Sequence, residues 1–202
     1  MDHLHLALET VIVLIVVMDP VGNVPIFLAL TADLPREQRH RAALQATAVA
    51  GGLVGAFAVV GRQILAALGI GLPALQIAGG LLLALIALDL LRPQDDGARP
   101  QRSGNVAFVP LGTPLLAGPG AIAAIMLAME QAPGLEGIAM VAGALVVSLV
   151  IVFVALRFSG VIARVLRHNG INLVTQVMGL LTAAIAVQFV AEGIEQWVRN
   201  PA

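Results

Sequence analysis

The sequence of 202 residues contains no cysteine, no lysine and no tyrosine, and only 11% of its residues are charged. The absence of cysteine excludes disulfides, thiol redox chemistry, cysteine nucleophiles and thiolate metal sites. A soluble domain carries about 25% charged residues, whereas 59% of this chain is hydrophobic. The composition therefore predicts a polytopic membrane protein. A net charge of −1 gives no electrostatic basis for binding nucleic acid.

The N-terminus lacks the basic residues that open a secretory signal peptide, and Glu9 interrupts its apolar part. We therefore expect the first apolar segment to be a retained membrane helix.

Six apolar segments follow one another along the chain, and they predict an all-α fold with six transmembrane helices. A span needs roughly 20 apolar residues. The segments run over Leu6–Leu30, Ala42–Leu65, Pro73–Leu91, Val106–Met129, Ile138–Leu156 and Ile171–Val190.

Segments one and four contain residues that a helix in lipid should exclude. The first holds Asp19-Pro-Val-Gly-Asn-Val-Pro25 near its middle, and the fourth holds Pro110, Gly112, Pro114 and Gly118-Pro-Gly120. Each proline removes a backbone donor and clashes with the preceding turn. Broken backbone at this depth must face protein or a wet cavity. We therefore expect helices 1 and 4 to be broken.

The two halves of the chain resemble each other, which indicates an internal repeat. Pro20 and its following residues align with Pro119 onward, and Gln76 and Gly79 recur as Gln176 and Gly179. Three spans per half put the second half into the membrane in the opposite direction, as in many secondary transporters. We expect one transmembrane domain, residues 1–202, with repeats at about 1–91 and 106–197 and a polar linker at 92–105.

Arginine placement predicts the orientation. The linkers after spans one, three and five hold nine arginines, and the opposite side holds only Arg62 and Arg199. By the positive-inside rule, the nine-arginine side is cytoplasmic and both termini are periplasmic.

The broken segments supply the candidate substrate-binding residues. A half-helix N-terminus suits a carboxylate, and half-helix C-terminal ends with freed carbonyls suit a cation or an ammonium group. Two facing breaks would fit a zwitterion or a similar small polar solute, although prolines can also simply kink helices for packing. The residues of the breaks that we select are Pro20, Gly22, Pro25, Gly118, Pro119 and Gly120.

Five polar residues near the breaks or within the spans have two roles open to each. Asp19 is either a proton carrier or cation ligand, or a helix cap before Pro20, and the two roles are compatible. Asn23 either contacts the ligand or caps freed carbonyls. For Gln76 and Gln176 we favour interhelical hydrogen bonding over ligand binding. The same two roles are open to Thr113.

Catalytic and metal-binding patterns are missing. The four histidines lie outside the spans without ligand spacing. There is no intramembrane Ser–His pair, and there are not the two central aspartates that an intramembrane aspartyl protease needs. We therefore expect no enzyme, no metal site and no cofactor.

Three motifs resemble the MarC family of bacterial inner-membrane proteins, also called the neutral amino-acid transporter family. They are Asp19-Pro-Val-Gly-Asn-Val-Pro-Ile-Phe27, Gly69-Ile-Gly-Leu-Pro-Ala-Leu-Gln-Ile-Ala-Gly-Gly80 and Pro110-Leu-Gly-Thr-Pro-Leu-Leu-Ala-Gly-Pro-Gly-Ala-Ile122. The family is similar in plan to LysE-type exporters. The resemblance covers nearly the whole chain and implies an inner-membrane protein that moves small neutral amino acids such as glycine or alanine.

The predicted function is thus transport of a small solute by alternating access around a midplane site. The predicted partners are the substrate and the lipid bilayer, with a homo-oligomer possible in principle and no nucleic acid. A membrane subunit with a structural or regulatory role, which transports nothing, is the alternative, and a channel is a third.

Overall fold

The computed structural model describes residues 3–91, 116–132 and 134–199. Every regular element in these residues is an α-helix, which confirms the all-α prediction for the described part of the chain. The helices are α1 (His3–Met18), α2 (Asn23–Leu30), α3 (Arg36–Ala67), α4 (Leu72–Leu91), α5 (Pro119–Gln131), α6 (Gly134–Arg157) and α7 (Ser159–Arg199).

Four helices are long and apolar enough to cross a membrane: α3, α4, α6 and the Asn169–Arg199 part of α7. The pair α1 and α2 passes the same test together but is bent by 51° at its break. In the described part of the chain this gives five candidate spans. Helix α5 is the described end of the predicted fourth segment, and Val106–Leu115 lies outside the described residues. Six spans therefore stay a prediction.

The helices extend beyond the apolar segments that predicted them. Helix α3 begins at Arg36, directly after Pro35, and α7 begins at Ser159. The apolar stretch marks only the part that matches the hydrocarbon, whereas backbone hydrogen bonding continues through polar residues at the interface. Within α7 the backbone leaves helical geometry at Arg167, with φ 53° and ψ −179°. Arg167 therefore separates a short helix, which begins at Ser159, from the membrane-length helix Asn169–Arg199.

Helix α4 lies along α7, and small residues bring the two close together. A Cβ atom on Gly80 would lie 2.8 Å from Val190 Cγ2, and one on Gly179 would lie 3.0 Å from Leu90 Cβ. The start of α4 therefore meets the end of α7, so the two helices are antiparallel. Small residues at such contacts let helices in membranes approach closely.

Helix α5 is the most enclosed element. Its residues from Gly120 to Ala128 are buried apart from Ile122, and they pack against α1, α3 and α4. Helix α6 packs against α1 and α3. A Cβ atom on Gly51 in α3 would come 2.7 Å from Leu149 in α6, whereas one on Gly55 would meet no described residue within 4 Å. Within the described segments, Gly51 therefore packs against a neighbouring helix and Gly55 does not.

Side-chain contacts sort the helix ends into two sides of the molecule. Arg157 at the end of α6 contacts the His40 ring near the start of α3. At the other end of α3, Arg62 Nη1 lies 3.5 Å from Glu130 Oε2 near the end of α5. The arginine-rich start of α3 and the end of α6 are therefore on one side, and Arg62 is on the other.

Candidate functional site

The break in the first span is built around Asp19. Helix α1 ends at Met18, and the Asp19 N–H donates to the Ile15 carbonyl as the last regular bond. The Asp19 side chain is buried, and its Oδ1 accepts from the Gly22 N–H at 3.0 Å. The backbone has φ 36° at Asp19, a conformation rare outside glycine. Asp19 therefore caps the turn that leads into α2, as one of its two predicted roles requires.

Asn23 stabilises the same break from the other side. Its Nδ2 donates to the Met18 carbonyl at 2.7 Å, and its N–H donates to the Asp19 carbonyl at 3.1 Å. The side-chain amide of Asn23 thus donates a hydrogen bond to a backbone carbonyl that the break would otherwise leave without a partner. This is the capping role that the sequence left open for Asn23.

Two buried oxygens at this break have no hydrogen-bond partner among the described residues: Asp19 Oδ2 and Thr175 Oγ1. Thr175 reaches the break from α7, and its Oγ1 would lie 3.0 Å from a Cβ atom on Gly22. The same Cβ would overlap Asp19 Oδ2. Asp19 Oδ2 therefore fills the place beside Gly22, and Thr175 Oγ1 lies close to it.

The start of α5 lies against the end of α1. Gly118 is extended, with φ −61° and ψ 165°, and Pro119 opens the helix. Gly120 is buried: a Cβ atom there would overlap Leu83 and come 3.1 Å from Val17 Cγ1. Since Val17 precedes Met18, the structure brings the two interrupted segments close together through an apolar contact.

A cavity of about 330 Å³ lies between α1, α5 and α7. Apolar residues from the three helices form most of its wall. Its polar lining consists of Glu9, Thr10, Gln131, Gln188 and Glu192.

The inner end of this cavity approaches the apolar contact between the two interrupted segments. Val13 and Ala124 line the cavity. They lie one helical turn from Val17 and Gly120, respectively.

Glu192 organises the polar part of the cavity. Gln76 Nε2 in α4 donates to Glu192 Oε2 at 3.0 Å, and Gln188 Nε2 donates to Glu192 Oε1. Gln76 is buried, and its Oε1 has no partner within the described segments. The interhelical bond favoured for Gln76 is therefore present, with a carboxylate as the partner.

The remaining predicted site residues are placed as follows. Pro20 and Gly22 are buried in the break, and Pro25 is half-buried in the first turn of α2, whereas Pro119 and Gln176 are exposed. Gln176 is thus not brought to the site that Gln76 contacts. Thr113 lies outside the described residues.

Sequence reasoning missed Thr175 and the role of Glu192. Thr175 has no counterpart in the pattern of the other half, and nothing in its sequence neighbourhood marks it. Glu192 follows the sixth apolar segment, and from the sequence alone it would be interpreted as a charge flanking the membrane span. Its hydrogen bond to Gln76 spans 116 residues, so only the packing of α4 on α7 reveals it.

No group of three or more His, Asp or Glu side chains that could hold a metal ion occurs among the residues in 3–91, 116–132 and 134–199. At the break and in the cavity, the polar groups of the described residues are carboxylates, amides, hydroxyls and backbone groups.

Comparison with known proteins gives one family. The sequence matches the MarC family integral membrane protein description over residues 4–198. It is 37% identical to a UPF0056 membrane protein of Methanocaldococcus jannaschii, covering 88% of this chain and 90% of the relative. It is 34% identical to a UPF0056 membrane protein of Aquifex aeolicus, covering 93% and 91%.

The UPF0056 inner membrane protein MarC of Escherichia coli is 31% identical, with 94% of both chains covered. No solved structure gives a significant match. Four membrane-length helices, a bent helix pair and these relatives agree, and the chain therefore belongs to the MarC family of integral membrane proteins.

Proposed function

We propose that this protein transports small neutral amino acids across the membrane by alternating access. The observation that carries the proposal is the cavity between α1, α5 and α7, which is lined in part by carboxylates and amides and approaches the apolar contact of Val17 with Gly120 next to the buried break at Asp19. Its volume of about 330 Å³ is at the small end of ligand pockets. Ionisable groups that face the interior of a membrane bundle usually mark a substrate or ion pathway, and the half-buried Glu192 is such a group.

The polar groups match the two charges of an amino acid. Glu192 would attract the ammonium group, and the amide donors of Gln131 and Gln188 would serve the carboxylate. The small side chains of Ala124 and Ala128 line the cavity beside these polar groups and leave room for a small amino acid. This chemistry favours glycine or alanine over a charged amino acid.

Passage to the other side requires the apolar contact of Val17, Leu83 and Gly120 to open. The substrate would then meet the break, where Asp19 and Asn23 supply a carboxylate and an amide. Both groups now hold backbone at the break, so substrate binding would exchange capping bonds for substrate bonds. Such an exchange would link the binding of substrate to the conformation of the break between α1 and α2.

The test is transport of labelled alanine by purified protein in liposomes, measured both as exchange and as uptake driven by an ion gradient. We expect Asn23→Ala to raise the concentration of alanine needed for half-maximal exchange about tenfold, because one hydrogen bond to a charged group contributes about 1.5–3 kcal/mol. Gln176→Ala, at an exposed position of α7, is the matched control and should leave exchange unchanged.

Asp19→Asn should keep the fold and a reduced exchange activity, since Asn retains the size and the capping oxygen of Asp but not the charge that meets the substrate. It should lose gradient-driven accumulation. If Asp19→Asn concentrates alanine as well as the parent protein, Asp19 is only a cap. If the parent exchanges neither alanine nor glycine, the structural or regulatory role is the better account.

A further inference from the structure

We propose that Asp19 and Thr175, together with backbone carbonyls at the end of α1, form a binding site for a sodium ion. The role of this ion in driving transport rests on the proposed function, whereas its binding does not. The site lies in the break between α1 and α2, where α7 contacts Gly22.

No charged side chain in the described segments pairs with the Asp19 carboxylate. Its side chain is 4% exposed, and only one of its oxygens accepts a hydrogen bond from a described residue. None of the ion pairs within the described segments includes Asp19. A buried carboxylate without a partner is strongly unfavourable, so a bound cation or a proton must balance it.

The hydroxyl of Thr175 is the second ligand. Thr175 is 4% exposed, and its Oγ1 has no partner in the described part of the chain. Thr182, two turns further along the same helix, instead donates to the Met178 carbonyl at 2.8 Å, as an isolated threonine in a membrane helix does. The Thr175 oxygen therefore remains available, close to Asp19 Oδ2 beside Gly22.

The end of α1 adds further oxygens. Pro20 has no N–H, so it cannot donate to the Val16 carbonyl four residues earlier. The carbonyls of the last turn point along the helix axis toward the break, where the helix dipole is negative. Unwound backbone and half-helix C-terminal ends of this kind coordinate cations in broken membrane helices.

The ligand set indicates the kind of ion. One carboxylate with hydroxyl and carbonyl oxygens is a hard, oxygen-only site. A monovalent ion makes the site neutral, whereas a divalent ion would leave a net positive charge in a medium of low dielectric. Asp19 Oδ2 overlaps the ideal Cβ position of Gly22, and Thr175 Oγ1 lies 3.0 Å from the same point, so the two oxygens are close enough to each other to contact one ion. Sodium, which is smaller than potassium, fits such a closely spaced pair of ligands better.

The experiment measures sodium binding by the purified full-length protein in detergent, by calorimetry and by the unfolding temperature. Sodium, potassium and choline chlorides are compared at equal ionic strength. We expect the parent protein to bind sodium and to unfold at a higher temperature in sodium than in the other two salts. Thr175→Val should weaken sodium binding at least about tenfold, since even outer-shell changes cost about 10–100-fold in metal affinity.

The matched variants separate a ligand from a packing residue. Thr182→Val removes a hydroxyl that its own helix already satisfies and should bind sodium like the parent. Thr175→Ser keeps the hydroxyl and should retain binding, and Asp19→Asn should lose it. No preference for sodium over potassium and choline, or equal binding by Thr175→Val and Thr182→Val, would overturn the proposal.

A stabilisation of Asp19 by protons alone would also overturn it, and would appear as a pH-dependent unfolding temperature that sodium does not change. The proposed function fails by a different measurement. If the protein does not bind sodium, alanine exchange can still be measured in liposomes. If it does not exchange alanine, sodium binding can still be measured in detergent.

Discussion

Gly22 shows how one residue determines the geometry of the break. Its backbone is α-helical, with φ −64° and ψ −26°, so no special dihedral requires glycine there. The requirement is space, because a Cβ atom would overlap the Asp19 carboxylate that accepts the Gly22 N–H. The small residue thus lets the carboxylate lie directly beneath the turn that it caps.

We expect Gly22→Ala to destabilise the protein by about 1 kcal/mol. By itself, replacing glycine with alanine at a compatible backbone conformation stabilises the folded protein by about 0.4–1 kcal/mol, because it reduces the conformational entropy of the unfolded chain. Loss of the capping bond at a buried carboxylate costs about 1–3 kcal/mol and outweighs that gain. The measurement is the unfolding temperature in detergent.

The control for this prediction is Gly52→Ala, because a Cβ atom on Gly52 would meet none of the described residues within 4 Å. Gly52 is inside α3, where alanine is favoured over glycine by roughly 0.5–1 kcal/mol. That variant should unfold at a slightly higher temperature than the parent. Equal rises for both variants would mean that Asp19 does not occupy the place beside Gly22.

At the scale of the helices, the antiparallel contact of α4 with α7 decides where Gln76 and Glu192 meet. A Cβ atom on Gly193 would lie 2.7 Å from Ile77 Cγ1, one residue from each member of the hydrogen-bonded pair. The register of the two helices therefore positions the carboxylate in the cavity. A shift of one turn would separate the pair.

Cysteine cross-linking tests this register, and the absence of native cysteine makes the experiment clean. The double variant Ile77→Cys with Gly193→Cys should form a disulfide on mild oxidation, because the Cβ atoms would approach the roughly 3.5–4.5 Å that a disulfide needs. The control pair is Ile77→Cys with Gly179→Cys. Gly179 contacts Leu90, which is about 20 Å from Ile77 at 1.5 Å per residue.

Efficient cross-linking of the control pair and none of the first pair would show that α4 and α7 are parallel or slipped. Gel mobility under non-reducing conditions is sufficient to measure both products.

The sequence predicts the helical class and the break at Asp19 well because the relevant physics is local. Hydrophobic length specifies the spans, and Pro20 and Pro119 mark helix boundaries through their missing N–H groups. Partners across helices depend instead on packing. The bond from Gln76 to Glu192 and the position of Thr175 beside Gly22 join residues far apart in the sequence, and no local pattern reports them.

At the scale of the whole molecule, the contacts of the two halves correspond. Gly80 lies by Val190 and Gly179 lies by Leu90, which are nearly equivalent positions in the aligned halves. Helix α1 contacts α6 as α5 contacts α3. An inverted repeat would produce this exchange of partners, although part of the second half lies outside the described residues. The repeat stays a prediction that these contacts support.

The orientation of the molecule is the last prediction. Arg36, Arg39 and Arg41 begin α3, and the contact of His40 with Arg157 puts the end of α6 beside them. Leu6 and Glu192 line one cavity together with Gln131. Gln131 follows Glu130, the partner of Arg62 at the other end of α3. Both ends of the described chain therefore lie on the side opposite the arginine-rich ends.

Positive charge near span ends is retained in the cytoplasm, so we expect both termini in the periplasm. A phosphatase fusion after Ala202 should be active, a fluorescent-protein fusion after Gly97 should fluoresce, and the reciprocal fusions should be silent. Replacing Arg36, Arg39 and Arg41 with glutamine should reduce this bias, whereas Arg199→Gln should not. A cytoplasmic C-terminus would leave an odd number of spans if the N-terminus stays periplasmic, and the two halves could not then be three-span inverted repeats.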